Sequence, residues 1–182
     1  MNALQNKNTQ VFVDIGSNID REVNICACVK QLRSDFPDIR FSKAYESKAE
    51  GFDGDDFINM SAGFSTDLAF EDLLAYLKAL EEKQNRVRDG LKFASRTLDV
   101  DILLFGDAVL KPERDVPRAE ILNYPFVLFP LAEIAAAVVH PELGKTIGEI
   151  AAESELDKMG IRRVELGCLG GAGLNYYGSG YR

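Results

Sequence analysis

In the run Leu98-Asp99-Val100-Asp101-Ile102-Leu103-Leu104-Phe105, two acids are set into an otherwise apolar stretch. Side chains on a strand alternate between faces, so the run predicts a strand with Leu98, Val100, Ile102 and Leu104 on one side. Asp99 and Asp101 share the other side, about 6.5–7 Å apart at Cα, followed there by Leu103 and Phe105. Two carboxylates so close on a rigid backbone repel each other and favour a hard cation. Oxygen ligands of this kind suit Mg²⁺, which keeps its remaining positions for water and phosphate. Alternating Asp also describes the solvated face of an antiparallel sheet. The apolar residues on the same side, and the cations Lys83, Arg86, Arg88, Lys92 and Arg96 just upstream, favour a metal–phosphate site.

The rest of the chain narrows the setting. Its 182 residues are enough for one domain with a full core, and 46% hydrophobic with 27% charged residues is a globular composition. A formal net charge of −8 argues against non-specific nucleic-acid binding. No apolar run is long enough to span a membrane, and residues 1–10 lack the apolar core of a signal peptide, so a cytoplasmic location is expected. Cys26 and Cys28 fall in a predicted helix on different sides. With Cys168 they are expected to be reduced thiols, and the single histidine, His140, makes a zinc site improbable.

Residues 11–15 read as a strand closed by Gly16-Ser17-Asn18, and a helix is predicted over about 20–35 from Ile25, Val29, Leu32 and Phe36. A second strand is expected over about 39–46, and residues 47–56 have loop composition. In the third strand, Phe57 to Phe64, Ile58, Met60, Ala62 and Phe64 form the core face; Phe57, Asn59 and Ser61 form the other. A second helix spans about 69–84 with Phe70, Leu73, Leu74, Leu77 and Leu80 inward, followed by a basic loop over 85–95 and the strand with the two acids. Strand, helix, strand, strand, helix, strand is the ferredoxin-like order: an α+β fold, an antiparallel sheet with helices packed on one face. The other face then carries Asp99, Asp101, Phe57 and Asn59. Phe126-Val127-Leu128-Phe129-Pro130-Leu131 and the Ala-rich run after it close the core. Residues 151–182 are expected to be a partly flexible C-terminal extension to a domain of 11–150. The glycines of the tail lack the spacing of a dinucleotide loop, and Asp53-Gly54-Asp55-Asp56 lacks that of an EF-hand.

Arg96-Thr97-Leu98-Asp99-Val100-Asp101-Ile102-Leu103-Leu104-Phe105-Gly106 resembles the defining motif of the 6-hydroxymethyl-7,8-dihydropterin pyrophosphokinase family. The resemblance continues through Ile15-Gly16-Ser17-Asn18, Phe57-Ile58-Asn59, Arg86-Val87-Arg88 and Phe126 to Leu131, roughly residues 11–150. It implies a ferredoxin-like enzyme of folate biosynthesis that transfers pyrophosphate from ATP to the hydroxymethyl group of a dihydropterin, releasing AMP. By the same resemblance Asp99 and Asp101 hold two Mg²⁺ ions, and Arg86 and Arg96 assist the chemistry. Glu81, Arg88, Arg96, Ile102, Arg114 and Arg118 contact ATP. Ser47, Glu50, Phe57, Asn59 and Phe126 bind the pterin. ATP and the pterin are the expected partners, with no nucleic acid or membrane, and a monomer is expected.

The chain departs from the family at several places. Arg118 stands where a histidine is usual and Tyr124 where an arginine is usual; Arg118 and Arg114 are the candidates to compensate. Ala94 replaces a common glycine, Asp89 stands where some members have a cation, and Lys48-Ala49 replaces a frequent Pro-Pro. An active kinase is the leading expectation. The alternatives are a catalytically impaired pterin- or nucleotide-binding relative and, more weakly, a metal-dependent phosphohydrolase.

Overall fold

The computed structural model describes residues 8–49, 54–84 and 98–170. Within them the chain runs β1 (Thr9–Ser17), α1 (Arg21–Asp35), β2 (Arg40–Phe41), β3 (Ala44–Ser47), β4 (Phe57–Thr66), α2 (Phe70–Gln84), β5 (Asp99–Phe105), α3 (Glu120–Asn123), α4 (Pro125–Ala135), α5 (Ile147–Glu153) and β6 (Ile161–Val164). The strands form one sheet in the order β5-β1-β4-β3-β6, with β2 also on β4. Every pairing is antiparallel. The ferredoxin-like α+β arrangement expected from the strand order is therefore present.

The core face matches the pattern. Val11, Val13 and Ile15 of β1, Ile58, Met60, Ala62 and Phe64 of β4, and Val100 and Ile102 of β5 pack with Ile25, Val29 and Leu32 of α1 and Leu73 and Leu77 of α2. α1 ends at Phe36, whose backbone is extended (φ −127°, ψ 91°) ahead of Pro37. A proline ring disfavours helical backbone in the residue before it.

The second face is less open than a one-sided arrangement predicts. Phe12, Leu103 and Leu104 form another core there with Ile121 of α3, Val127, Leu128 and Leu131 of α4, and Ile147 of α5. A register shift explains why Leu103 and Leu104 both point this way. Val13 pairs with Ile102 but Phe12 pairs with Leu104, so β5 carries an extra residue. A bulge reverses the alternation beyond it. Leu104 thus leaves the face predicted for it. Phe105 turns to the first core, edge-on to Phe70 at 5.5 Å between ring centroids. The second face is consequently roofed at one end by α3, α4 and α5, and Asp99 and Asn59 lie toward the other end.

The first part of the C-terminal extension belongs to the sheet. β6 extends it beyond β3, pairing Ala44 with Val164 through to Ser47 with Ile161. The chain then reaches α1, where Cys168 forms a disulfide with Cys26 at a Cα separation of 5.5 Å. Arg33 of α1 donates to the Cys168 carbonyl at 2.7 Å. This corrects the expectation of three reduced thiols. The two cysteines are 142 positions apart, and only the return of the chain along β3 brings them together. Cys28 remains a free thiol, buried in the core, and burial pushes its pKa up to about 12. No helix among the described residues is long and apolar enough to cross a membrane.

Candidate active site

Cross-strand pairing sorts the functional side chains into rows on the second face. One row runs Asp99 on β5, Gly16 on β1, Asn59 on β4 and Tyr45 on β3. The next runs Asp101, Asp14 and Ser61. Directly paired residues share a face, so Asp99 and Asp101 do lie on one side of β5, and both are half-buried rather than sealed. The free edge of β5 is fastened by Glu81, whose Oε1 accepts from the Val100 N–H at 2.7 Å. That contact satisfies an edge-strand donor and holds the backbone between the two aspartates. Glu81 was expected at the nucleotide; the structure places its carboxylate against β5, next to the acid pair.

Asn59 is nearly buried, and its Nδ2 donates to Ser47 Oγ, also buried, at 3.4 Å. The row accommodates its amide because residue 16 is glycine. A Cβ there would stand 2.6 Å from Asn59 Oδ1. Phe57, half-buried, starts β4 opposite Ser47. The neighbouring loop is tied to the start of α1: Asn18 Nδ2 donates to the Asp55 carbonyl at 3.4 Å and Arg21 to the Asp56 carbonyl at 2.9 Å. Arg21 also pairs with Glu46, which Arg162 of β6 engages from the other side, each at 2.5 Å. The Arg162 hydrogen bond, with help from Arg21 and against partial burial, holds the Glu46 carboxyl below its usual range. A cleft of about 660 Å³ runs beside this loop, lined by Asn18, Asp20, Arg21, Asp55 and Asp56.

Phe126 lies in the first turn of α4, opened by Pro125, and stacks on Tyr124 at 5.0 Å with 21° between ring planes. Arg118 forms an ion pair with Asp101, Nη2 lying 3.5 Å from Oδ2, and donates from Nε to Glu120. Its backbone N–H bonds the Leu103 carbonyl at 2.9 Å, which fixes it beside β5. Arg118 was expected at ATP, and the structure pairs it with Asp101 and Glu120.

Arg114 and Ile102 were also expected at ATP. Arg114 makes a forked pair with Glu71, both bonds 3.0 Å. Glu71 is in the first turn of α2, ten residues or about 15 Å along the helix from Glu81. The Ile102 side chain is 3% exposed in the core beneath α1 and α2, because strand alternation turns it away from the acids. Glu50, Arg86, Arg88 and Arg96 lie outside the described residues.

The sequence reading passed over Asp14. It faces Asp101 across the β1–β5 pair, and burial, then the charges of Asp101 and Glu120, hold its carboxyl well above the usual range, with Arg118 opposing. The visible signal was an acid enclosed by Val11, Phe12, Val13 and Ile15. The Tyr124–Phe126 stack was likewise legible only as two aromatics flanking a proline.

The fold is an antiparallel α+β sheet that carries two acids and a buried amide on one face. A sequence model of the family described as 7,8-dihydro-6-hydroxymethylpterin-pyrophosphokinase (HPPK) matches residues 12–136. The chain is 32% identical over 149 residues to 2-amino-4-hydroxy-6-hydroxymethyldihydropteridine pyrophosphokinase of Aquifex aeolicus, covering 80% of this chain and 92% of that protein. It is 36% identical over 164 residues to the protein of the same name from Pseudomonas aeruginosa, covering 85% and 96%. Among solved structures, it resembles Plasmodium falciparum HPPK-DHPS, crystallised with pteroate, at a TM-score of 0.58 and 13% identity. That match covers 88% of this chain and 47% of the other, so the chain spans about half the length of that neighbour, and the likeness concerns the fold alone. The chain belongs to the HPPK family of folate synthesis, which makes it an enzyme of the diphosphotransferase class.

Proposed function

We propose that this chain transfers pyrophosphate from ATP to 6-hydroxymethyl-7,8-dihydropterin, with release of AMP. The observation that carries the reading is the Asp99–Gly16–Asn59 row. Asp99 and Asn59 are two strands apart, about 10 Å, on one face of the sheet. A bicyclic ring read by the amide can therefore direct its hydroxymethyl arm toward the acids.

The donor set suits magnesium: two carboxylates share one face of a rigid strand. A pair of carboxylates leaves an ion's other positions for phosphate oxygens and water. Asp99 and Asp101 would hold two Mg²⁺ ions, whose chemistry is to neutralise the triphosphate and orient the attacking hydroxyl. The chain does the remainder. Phe57 and Phe126 offer aromatic faces to the ring, with Asn59, Ser47 and Glu50 at its polar edge. Glu81 keeps β5 in place. Arg86, Arg88 and Arg96 receive the phosphates, and Arg86 and Arg96 stabilise the transferring group. The hydroxymethyl oxygen bonds to the β-phosphorus as the bond from that phosphorus to the α,β-bridging oxygen breaks. That oxygen leaves with AMP, and the hydroxyl proton passes to solvent. Transfer of this kind depends on positioning and charge neutralisation. We assign the chemistry to a monomer acting in the cytoplasm on small molecules, within a domain of 11–150 extended by 151–182.

Purified protein given ATP, Mg²⁺ and the dihydropterin should form AMP in step with the pyrophosphorylated pterin. No AMP at high enzyme concentration rejects the reading. Asp101→Ala should abolish metal-dependent turnover with an unchanged circular dichroism spectrum; full activity in that variant contradicts the assigned role. The Arg118–Asp101 contact favours one second reading, a binding relative that has lost turnover. Calorimetric binding of ATP and pterin without product would identify it.

A further inference from the structure

The row behind Asp99 and Asn59 contains a third carboxylate. Asp14 stands between Asp101 on β5 and Ser61 on β4, each its direct cross-strand partner. Such partners have Cβ atoms about 4.5–5.5 Å apart on one face. Among the described residues, the buried side-chain polar atoms with no hydrogen-bond partner are Asp14 Oδ1 and Ser61 Oγ. Both therefore fall in this row, and Ser61 has no exposed surface at all.

Buried polar atoms are nearly always paired, so each exception calls for a cause. Here two exceptions adjoin each other and one adjoins a proposed metal ligand. The carboxylate is doubly costly, since it loses hydration and also faces Asp101. Packing does not require it: the residues flanking it on the same face are Phe12 and Gly16, an apolar ring and a bare backbone. A carboxylate oxygen and a hydroxyl side by side provide two of the polar partners that hold a buried water. Direct ligation is a poorer account, because no three acids among the described residues converge on a point.

We propose that Asp14 and Ser61 form an outer shelf of the cation site, holding a water from the hydration shell of the divalent ion borne by Asp99 and Asp101. Asp14 is then a positioning residue for the metal: its carboxyl group, with the Ser61 hydroxyl, fixes the ion's hydration behind Asp101. Arg118 pairs with the Asp101 carboxylate when no cation is bound. The inference rests on the metal reading of Asp99 and Asp101 given above.

The test is Mn²⁺ titration followed by electron paramagnetic resonance, on the full chain with the α,β-methylene analogue of ATP. Removing an outer-sphere partner should weaken Mn²⁺ by about tenfold in Asp14→Asn, and by a smaller factor in Ser61→Ala. In turnover assays the Mg²⁺ concentration for half-maximal rate should rise while the KM for pterin stays unchanged; a general structural defect would move both. Asp14→Asn should also raise the melting temperature of the metal-free protein and reduce the further rise caused by Mn²⁺. Mn²⁺ affinity within twofold of the parent in both variants overturns the proposal. If Asp14→Asn does not fold, Ser61→Ala alone decides. If the parent takes up no Mn²⁺, the metal reading of Asp99 and Asp101 falls, and this inference falls with it.

Discussion

Arg118 Nη2 stands 3.5 Å from Asp101 Oδ2, and the two side chains are 27% and 34% exposed. A guanidinium thus covers one of the two acids on which a pyrophosphokinase reading depends. The pair is half-buried near the surface, where such contacts contribute about 0.2–1 kcal/mol. In the proposed reaction a divalent ion arriving with the triphosphate would displace the guanidinium and free it to meet phosphate.

Arg118→Ala should therefore separate the two ligands. Mn²⁺ alone should bind up to about fivefold more tightly, since its carboxylate no longer has a competitor. The KM for ATP should rise about tenfold or more, the loss expected for a hydrogen bond to a charged group. Resonance titration and steady-state kinetics check the two arms. Unchanged values in both would remove Arg118 from the site.

Gly16→Ala places a Cβ 2.6 Å from Asn59 Oδ1. The amide must turn away, and its bond to Ser47 must go with it. The expected result is a KM for pterin raised about tenfold with the KM for ATP unchanged, and a stability loss of about 1–3 kcal/mol from overpacking. Kinetics in both substrates and urea denaturation measure this.

The Cys26–Cys168 bond closes a loop between residues 142 apart. Its loss in Cys168→Ser, or on adding a thiol reductant, should lower unfolding free energy by about 2–5 kcal/mol. Denaturation curves of the reduced parent and the variant should superimpose. Cys28 is buried with its pKa pushed up to about 12. The native oxidised protein should therefore show no reactive thiol to a chromogenic disulfide at neutral pH, and one after unfolding.

His140 is 1% exposed, and its Nδ1 accepts from the Glu142 N–H at 3.3 Å. Burial lowers its pKa from the ordinary 6.5. Below 6.5 the unfolded chain takes up a proton that the folded ring resists, so stability is complete above that pH and declines as pH falls through it. Between about pH 7.5 and pH 5.5 the melting temperature should drop, and His140→Asn should reduce that drop. An equal drop in the variant would assign the effect to other groups.

Much of the fold was legible because its signals are local. The alternation of Ile58, Met60, Ala62 and Phe64, and the helical spacing of Ile25, Val29 and Leu32, each follow from the face a residue must bury. The acids of β5 were readable for the same reason, up to the point where the bulge after Ile102 reversed the alternation. A bulge leaves no reliable mark in an apolar run, so Leu104 and Phe105 were placed on the wrong faces. Arg114 and Arg118 were both expected at ATP, as candidates to compensate for the family's usual histidine and arginine. Yet Arg114 is drawn to Glu71 on α2, and Arg118 is held by the Leu103 carbonyl beside Asp101.

By itself the amino-acid sequence determined the strand and helix periods, the α+β order, and the acid pair on one side of a strand. Those depend on spacings of a few residues. Tertiary structure alone decided that Asp14 faces Asp101, that Cys168 meets Cys26, that β6 braces Glu46 through Arg162, and that α4 roofs half of the second face. Each is set by sheet register and chain return between distant positions, and register is decided by the summed packing of two faces rather than by any short stretch of residues.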